Sequence, residues 1–239
     1  MRIRFATLVA LFLFVLVLVA PVSAQGVGVK FNFEAMSSYV APVGLEPHDG
    51  TVAWSDLTVS LPRGFYANLW GSTGTDFKPN GGREIDWTGG WSGKGIDVGV
   101  AWFDFDTLFS GRKGDVWRFY SKYSREYVVR RVKLAPYGKA EYFYSTRSPS
   151  ENSAHLIGGG MSSELALSRL TLALGTDVSH VGHVFGNSAG VLWQMNGRVS
   201  VKVKRVTLNP FIFKSSVPIR GAEEHKRHFS FGAGFSIGG

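Results

Sequence analysis

Side chains alternate in character between residues 64 and 105, and this alternation constrains the fold more than any other feature of the chain. The stretch reads as three short segments separated by Gly-rich turns. In its middle segment, Ile85 and Trp87 share one face, and Glu84 and Asp86 share the other. A period of two is typical of β-strands whose two faces meet unlike environments. The stretch therefore predicts three amphipathic strands.

The same alternation continues along the chain and predicts twelve strands. They span about residues 27–39, 52–61, 65–72, 83–92, 96–105, 115–126, 130–145, 154–166, 168–178, 189–203, 206–215 and 229–237. Pro136 is expected at a bulge or an irregular site, because proline cannot donate to a strand ladder. Tight turns alternate with longer loops near residues 41–50, 73–82, 106–114, 146–153, 179–188 and 216–227.

An even strand number, with short turns at one rim and long loops at the other, is typical of outer-membrane barrels. Many of the strands have about ten residues, the length that crosses a bilayer at a tilt. We therefore expect an all-β fold, an up-and-down antiparallel transmembrane β-barrel. Twelve strands is the preferred count, and ten strands is the alternative. Both termini are expected in the periplasm, on the side of the short turns.

The first 24 residues predict a cleaved secretory signal peptide, so that residues 25–239 form the barrel domain. Arg2 and Arg4 precede a nearly uninterrupted apolar run from Leu8 to Ala20, and small residues follow at 22–24. The alternative is a membrane-anchoring helix. Its apolar core of about 13 residues falls short of the roughly 20 that span a bilayer.

Composition narrows the class of protein further. The chain has no cysteine, which excludes disulfides and thiolate metal sites. Its net charge of +8 can indicate nucleic-acid binding. Because the chain is predicted to be exported, anionic lipid or anionic solutes are the expected partners, and nucleic acid is not.

Alternation alone does not say which face of the strands meets water. A soluble, lipocalin-like barrel would point its apolar face inward. Trp and Tyr recur near the predicted strand ends, as in the interfacial girdles of membrane barrels, and we expect the apolar face to meet lipid. In the opening stretch Trp87, Val98 and Val100 should then face lipid.

The polar face of the strands is expected to line the lumen. Its predicted lining residues are Arg118, Lys122, Lys133, Lys139, Arg198, Lys202, Glu84, Asp86 and Asp97. Rings of Arg and Lys favour anions. The alternative is that these cations pair with Glu34, Glu141 and the other carboxylates and plug the interior. Twelve strands lie between the filled eight-stranded barrel and the open porins of 16–18 strands, so both outcomes are allowed.

Other constellations carry weaker signals for chemistry. Glu84 and Asp86 lie two apart on one strand face, a spacing compatible with acid–base work or Ca²⁺ binding, although paired lumen charges are the commoner role. His180 and His183 lie three apart, which separates them on a strand. Ser179, His180 and Glu164 can be imagined as a hydrolase set, but no nucleophile-elbow signature accompanies them. We predict no catalytic residue, metal site or cofactor.

The opening stretch resembles the TorF-type porins of Gram-negative outer membranes. The resemblance rests on Gly64–Ala67, Trp70–Ser72, Glu84–Asp86, Gly89–Gly93 and Asp97–Val100, and it covers about residues 27–105. It implies a barrel that allows small solutes to diffuse, and it assigns no catalytic residue. The chain departs from the usual outer-membrane pattern at its end, Phe235-Ser236-Ile237-Gly238-Gly239, because the assembly machinery usually reads a terminal aromatic residue.

The predicted function is therefore that of a porin for small solutes, with anions among the candidates. The expected partners are outer-membrane lipid, the barrel-assembly machinery and lipopolysaccharide, the last through Arg112-Lys113 and Lys226-Arg227 in the longer loops. Two alternatives stay open. One is a non-conducting structural or adhesion barrel that acts through its loops, and the other is an outer-membrane lipid-modifying hydrolase.

Overall fold

The computed structural model describes residues 26–41, 43, 50–74, 84–104, 115–146, 153–183, 188–221 and 227–238. Within them lie a short 3₁₀ turn, Pro62–Gly64, and thirteen β-strands. The strands are β1 (Gly28–Met36), β2 (Val52–Ser60), β3 (Phe65–Gly74), β4 (Glu84–Gly93), β5 (Ile96–Asp104), β6 (Val116–Ser124), β7 (Tyr127–Val129), β8 (Val132–Ser145), β9 (Ala154–Leu167), β10 (Leu170–Val181), β11 (Gly190–Val203), β12 (Val206–Gly221) and β13 (His228–Gly238). The predicted signal peptide lies outside the described residues.

The strands form one closed antiparallel sheet in which each strand pairs with its neighbours in the sequence, except that β6 and β7 both pair with β8 and not with each other. The first strand closes the sheet against the last, with Phe33 opposite Phe235 and Lys30 opposite Gly238. β6 and β7 follow one another along the same edge of β8, so the barrel has twelve strand positions. The predicted all-β, twelve-stranded, up-and-down barrel is confirmed. Among the described residues, no helix has both the length and the apolar character needed to cross a bilayer.

The interruption between β6 and β7 corrects one predicted boundary. The sequence pattern ended this strand with a turn before Arg130, but the chain continues past Arg125 and Glu126 and turns at Arg130–Arg131. Pro136 lies opposite the interruption, and its carbonyl accepts a 3.2 Å hydrogen bond from the Arg125 backbone N–H. Because Pro136 cannot donate in return, the ladder breaks there, as expected for an irregular site.

The outer face of the barrel is apolar and exposed. Phe229 is 61 % exposed and Ile157 is 57 % exposed, values that a water-soluble barrel would avoid for such side chains. Trp87 and Val98 lie on this outer face too, and the carboxylates of Glu34 and Glu84 lie on the inner one. This inside-out distribution is the one that a lipid environment requires.

Candidate functional site

The inner face changes from wet to packed along the barrel axis. On β2, Ser60 near the short turn is exposed, whereas Trp54 and Val52 near the long loop are buried. On β9, Glu164 is exposed and Leu156 is fully buried. The lumen is therefore accessible to solvent from the short-turn end and tightly packed at the long-loop end.

The segment that follows β1 contributes to this packing. We call residues 37–41 together with Val43 the mouth segment. The Ser37 backbone N–H donates to the Phe231 carbonyl at 2.8 Å, which holds the start of the segment against β13. Further along, the Ala41 carbonyl accepts a 3.4 Å hydrogen bond from Gln194 on β11. The mouth segment thus reaches from β13 to the inner face of β11.

The mouth segment packs into an apolar cluster that fills the long-loop end. Val40, Ala41 and Val43 are each at most 8 % exposed. Ala41 and Val43 share this cluster with side chains from most of the strands: Met36, Val52, Trp54, Val116, Phe143, Ala154, Leu156, Val181, Leu192 and Ile212. The sequence pattern missed this cluster. Several of its members are apolar residues on the otherwise polar face of their strands, and they occur only at the strand ends next to a long loop.

Three aromatic rings form the centre of the contact between the mouth segment and the wall. The ring centroid of Tyr39 lies 5.9 Å from that of Trp54 and 5.7 Å from that of Trp70. The indole N–H of Trp54 donates to Glu34 at 3.0 Å, and the Lys214 ammonium lies 4.1 Å from the Trp54 ring centroid. Aromatic pairs at such distances add to the stabilisation that burial of their area provides.

Tyr39 also ties the mouth segment to β4. Its hydroxyl donates a 2.7 Å hydrogen bond to Oε2 of Glu84. Tyr39 lies outside the spanning strands, and burial raises the pKa of its phenol well above 10, with the charge of Glu84 as a second cause. The phenol therefore stays protonated at ordinary pH and keeps its donor.

Below the mouth, a cavity of about 720 Å³ occupies the lumen. The mouth segment forms its roof. Its wall combines aromatic side chains such as Trp70 and Phe103 with charged groups such as Asp86, Arg118 and Lys214. A volume of this size accommodates a small organic solute.

Most of the charges near the cavity are paired across the lumen wall, either between adjacent strands or between strands further apart in the sheet. Nε of Arg118 lies 2.7 Å from Glu141 Oε2, and Nζ of Lys139 lies 3.0 Å from Asp177 Oδ2. Arg198 forms an ion pair with Glu34. Such pairs are costly to break one partner at a time, because the remaining charge is then left without its counter-ion in a site shielded from water.

Each of the nine residues predicted for the lumen lies on the inner face by strand register. They are not brought together at one level. Glu84, Asp86, Arg118, Lys139 and Arg198 lie deep in the lumen. By contrast, Asp97, Lys122, Lys133 and Lys202 lie near the short turns. Lys133 contacts Glu126 at 3.4 Å, and both are exposed.

The inner face as a whole carries balanced charge. Its described cations are Lys30, Arg118, Lys122, Lys133, Lys139, Arg198, Lys202 and Lys214. Its described anions are Glu34, Asp56, Glu84, Asp86, Asp97, Glu141, Glu164 and Asp177. Eight charges of each sign leave the inner face as a whole without an excess of positive charge.

The two signs are nonetheless segregated. Within the described residues, the β1–β5 side presents five of the carboxylates and a single cation, Lys30. The opposite side, β6–β12, presents the other seven cations. Sequence reasoning missed Lys214 in this set, because an irregularity in register between Asn209 and Ile212 shifts the phase of β12. The inward position of Asp56 could have been predicted from the sequence, since it alternates with the apolar residues Leu57 and Val59.

Tyrosines cover glycines on the inner wall nearer the short turns. Gly90 and Gly99 face each other on β4 and β5. A Cβ at Gly90 would lie 2.7 Å from the Tyr66 ring, and one at Gly99 would lie 2.3 Å from the Tyr120 hydroxyl. The two tyrosine hydroxyls are hydrogen-bonded to one another, and that of Tyr66 also donates to Asp97 at 2.8 Å. These glycines leave the space that the rings fill.

The imagined hydrolase set is not assembled. Ser179 is buried on the inner face and donates to Asp177 at 2.7 Å, whereas His180 lies on the outer face and stacks on His155. Glu164 lies near the short turn, six register positions away from Ser179 along β10. β10 extends to Val181, so His180 belongs to a strand and not to the predicted loop. In the described part of the chain, no group of three His, Asp or Glu side chains is placed to hold a metal ion.

Comparisons with known proteins give a fold but no family. No family model matches the sequence, and no curated protein matches it. The TorF-type resemblance therefore stays a prediction.

Several solved structures have a similar fold. The structure titled "KdgM porin" shares 8 % identity, with a TM-score of 0.56 over 87 % of this chain and 98 % of that one. "LpxR from Salmonella typhimurium" shares 5 % identity, with a TM-score of 0.53 over 87 % of this chain and 99 % of that one. At such identities the likeness concerns the fold alone. The chain thus has the barrel fold found in outer-membrane proteins.

Proposed function

We propose that the chain is an outer-membrane channel of the TorF type, through which small solutes pass when the mouth segment moves. The observation that carries this proposal is the lumen cavity of about 720 Å³ beneath the mouth segment, together with the solvent-accessible inner face on the short-turn side. A barrel that served only as a scaffold could fill the same space with side chains, as eight-stranded barrels do.

The balance of lumen charges supports weak selectivity between anions and cations. The segregation of carboxylates on the β1–β5 side and cations on the β6–β12 side favours solutes that carry both signs, since such a solute can orient between the two sides. A similar structure is titled "KdgM porin in complex with disordered oligogalacturonate", at 8 % identity and a TM-score of 0.52 over 88 % of this chain and 98 % of that one. For this chain we propose small solutes without a strong preference for anions.

A non-conducting structural barrel is the second candidate. The apolar cluster around Ala41 and Val43 favours it, because this cluster packs the long-loop end as tightly as a protein core. We propose the channel first because a purely structural barrel gives no reason for a charged cavity below that cluster. We further propose periplasmic termini, a non-enzymatic role, assembly by the barrel-assembly machinery and contact of the long loops with lipopolysaccharide. Of the loop residues predicted for that contact, only Arg227 lies within the described residues.

Liposome swelling tests the proposal. Purified protein is reconstituted into vesicles loaded with an impermeant polymer, and the swelling rate is measured in isosmotic solutions of small sugars, amino acids and organic acids. Heat-modifiable migration in gels verifies that the barrel is folded, and membrane fractionation of the producing cells verifies its location. Folded protein without any solute flux would leave the structural barrel as the better account.

A further inference from the structure

Eight cationic side chains lie at the short-turn rim of the barrel, seven in the turns and Arg125 in the break between β6 and β7. They are Arg63, Lys94, Arg125, Arg130, Arg131, Arg169, Lys204 and Arg205, and we call them the short-turn cation ring. All eight are exposed. The five turns connect antiparallel neighbours around the whole barrel, so the cations surround one rim.

The positive charge of this rim is not neutralised by neighbouring acids. Glu126 is the only acidic residue in the described turns, and it contacts Lys133 at 3.4 Å. The segments of the long loops outside the described residues have by sequence nearly equal numbers of both signs. Their acids are Glu46, Asp49, Asp76, Asp106, Glu151, Glu223 and Glu224, and their bases are Lys78, Arg83, Arg112, Lys113, Arg147 and Lys226. Without Arg2 and Arg4 of the predicted signal peptide the net charge is +6, and this excess is concentrated at the short-turn rim.

The cation ring lies where the lipid-facing surface ends. Phe65, Tyr123 and Tyr127, which flank the short turns in the sequence, are exposed outer-face side chains. The guanidinium of Arg125 lies 5.4 Å from the Tyr127 ring centroid. Long cationic side chains beside exposed apolar surface reach towards lipid head groups with their stems on the hydrocarbon.

We propose that the short-turn cation ring binds the phosphates of anionic glycerophospholipids in the leaflet that surrounds the short turns. Basic clusters at a membrane surface gain attraction from each cation that approaches an anionic head group. Guanidinium groups also donate two parallel hydrogen bonds to phosphate oxygens, and six of the eight cations are arginines. A lipid annulus satisfies cations on every side of the rim at once, which a compact soluble partner on one side would not.

This proposal needs only the membrane-spanning barrel and not its channel role. Failure of the solute-flux experiment would leave it standing, and its own failure would leave the channel proposal standing.

The backbone of the turns allows cations to be removed without disturbing the fold. Arg130 and Lys204 both have a φ of 56°, in the left-handed region. Asparagine tolerates this region better than most residues. The variant Arg130→Asn/Lys204→Asn therefore neutralises two cations of the ring and preserves the turn conformation. Arg220→Asn/Arg227→Asn is the matched control, because both residues are exposed near the long-loop end.

Native mass spectrometry of the folded protein in detergent measures the binding of added phosphatidylglycerol and of added phosphatidylcholine. We expect phosphatidylglycerol to bind more tightly to the wild type. In Arg130→Asn/Lys204→Asn its binding constant should fall about tenfold, and in the control it should be unchanged. Binding should also weaken as the salt concentration rises.

Three results would overturn the proposal. The wild type could bind both lipids equally, or the control could lose as much binding as the ring variant. The third is a ring variant that loses affinity for added lipopolysaccharide while keeping its affinity for phosphatidylglycerol, which would assign the ring to lipid A phosphates in the other leaflet. Heat-modifiable migration of every variant confirms that the comparison is made between folded barrels.

Discussion

The Tyr39 hydroxyl donates a 2.7 Å hydrogen bond to the Glu84 carboxylate, which joins the segment after β1 to the first residue of β4. The two residues are 45 positions apart, and both are buried. Through this contact the mouth segment is attached to the wall on one side, while Gln194 holds it on the other at Ala41. Closure of the long-loop end therefore depends on a few identifiable polar contacts within an apolar cluster.

Replacing Tyr39 with Phe should destabilise the barrel by about 1–3 kcal/mol, because the Glu84 carboxylate then loses a buried donor. Urea unfolding followed by tryptophan fluorescence measures this change. Tyr142→Phe is the control, since Tyr142 is 48 % exposed on the outer face. Equal stability of Tyr39→Phe and the wild type would show that the contact contributes nothing to closure.

The same contact has a defined pH dependence. The pKa of the Tyr39 phenol is raised by burial above its unfolded value near 10, so its contribution to stability is fully present below pH 10 and is lost as the pH rises further. The stability difference between the wild type and Tyr39→Phe should therefore be constant between pH 7 and 9. A difference that disappears within this window would contradict a protonated donor.

Gly90→Ala and Gly89→Ala form a matched pair on β4. A Cβ at Gly90 would lie 2.7 Å from the Tyr66 ring and 2.8 Å from the Val98 carbonyl, whereas one at Gly89 would meet nothing within 4 Å. We expect Gly90→Ala to cost about 1–3 kcal/mol of unfolding free energy and Gly89→Ala to cost little. Equal effects of the two substitutions would refute the packing of Tyr66 over Gly90.

The ion pair between Arg118 and Glu141 predicts strong coupling. Each single variant, Arg118→Gln or Glu141→Gln, leaves a charge without its partner, while the double variant removes both charges. A double-mutant cycle of unfolding free energies should give a coupling of about 1–2 kcal/mol. Additive effects would mean that the two side chains do not act as a pair in the membrane.

Lys202→Glu should shift the reversal potential in a KCl gradient towards that of a cation channel. Lys202 lies on the inner face of β11, whereas Lys204 lies in the turn that follows. Lys204→Glu should therefore cause a smaller shift. The wild type should be only weakly selective, given the balance of charges in the lumen. A strong anion preference of the wild type, or no effect of Lys202→Glu, would contradict the proposed path.

Period-two alternation predicted much of this barrel, because one face of each strand meets lipid and the other a polar interior. It located β3 to β5, the outward position of Trp87 and the irregularity at Pro136. It also placed Arg118 and Arg198 on the inner face. These are local properties of a strand, which neighbouring residues in the sequence determine.

Contacts between distant strands could not be predicted in this way. Alternation gives the face of Glu34 and of Arg198, but the pairing of these two residues depends on barrel closure and on the curvature of the wall. The inward path of the mouth segment was also invisible, since Ala41 and Val43 read as part of a long loop. Their burial follows from contacts with residues such as Leu192 and Ile212, far along the chain.

The central claim is that the mouth segment closes a conducting lumen, and single-channel conductance of Ala41→Ser/Val43→Ser in planar bilayers tests it most directly. Polar side chains weaken the apolar cluster, so this variant should open more often or conduct several-fold more than the wild type. Val129→Ser/Val178→Ser changes two exposed valines of the outer face and should behave as the wild type does. The same conductance in all three folded proteins, or no current in any of them, would contradict the claim.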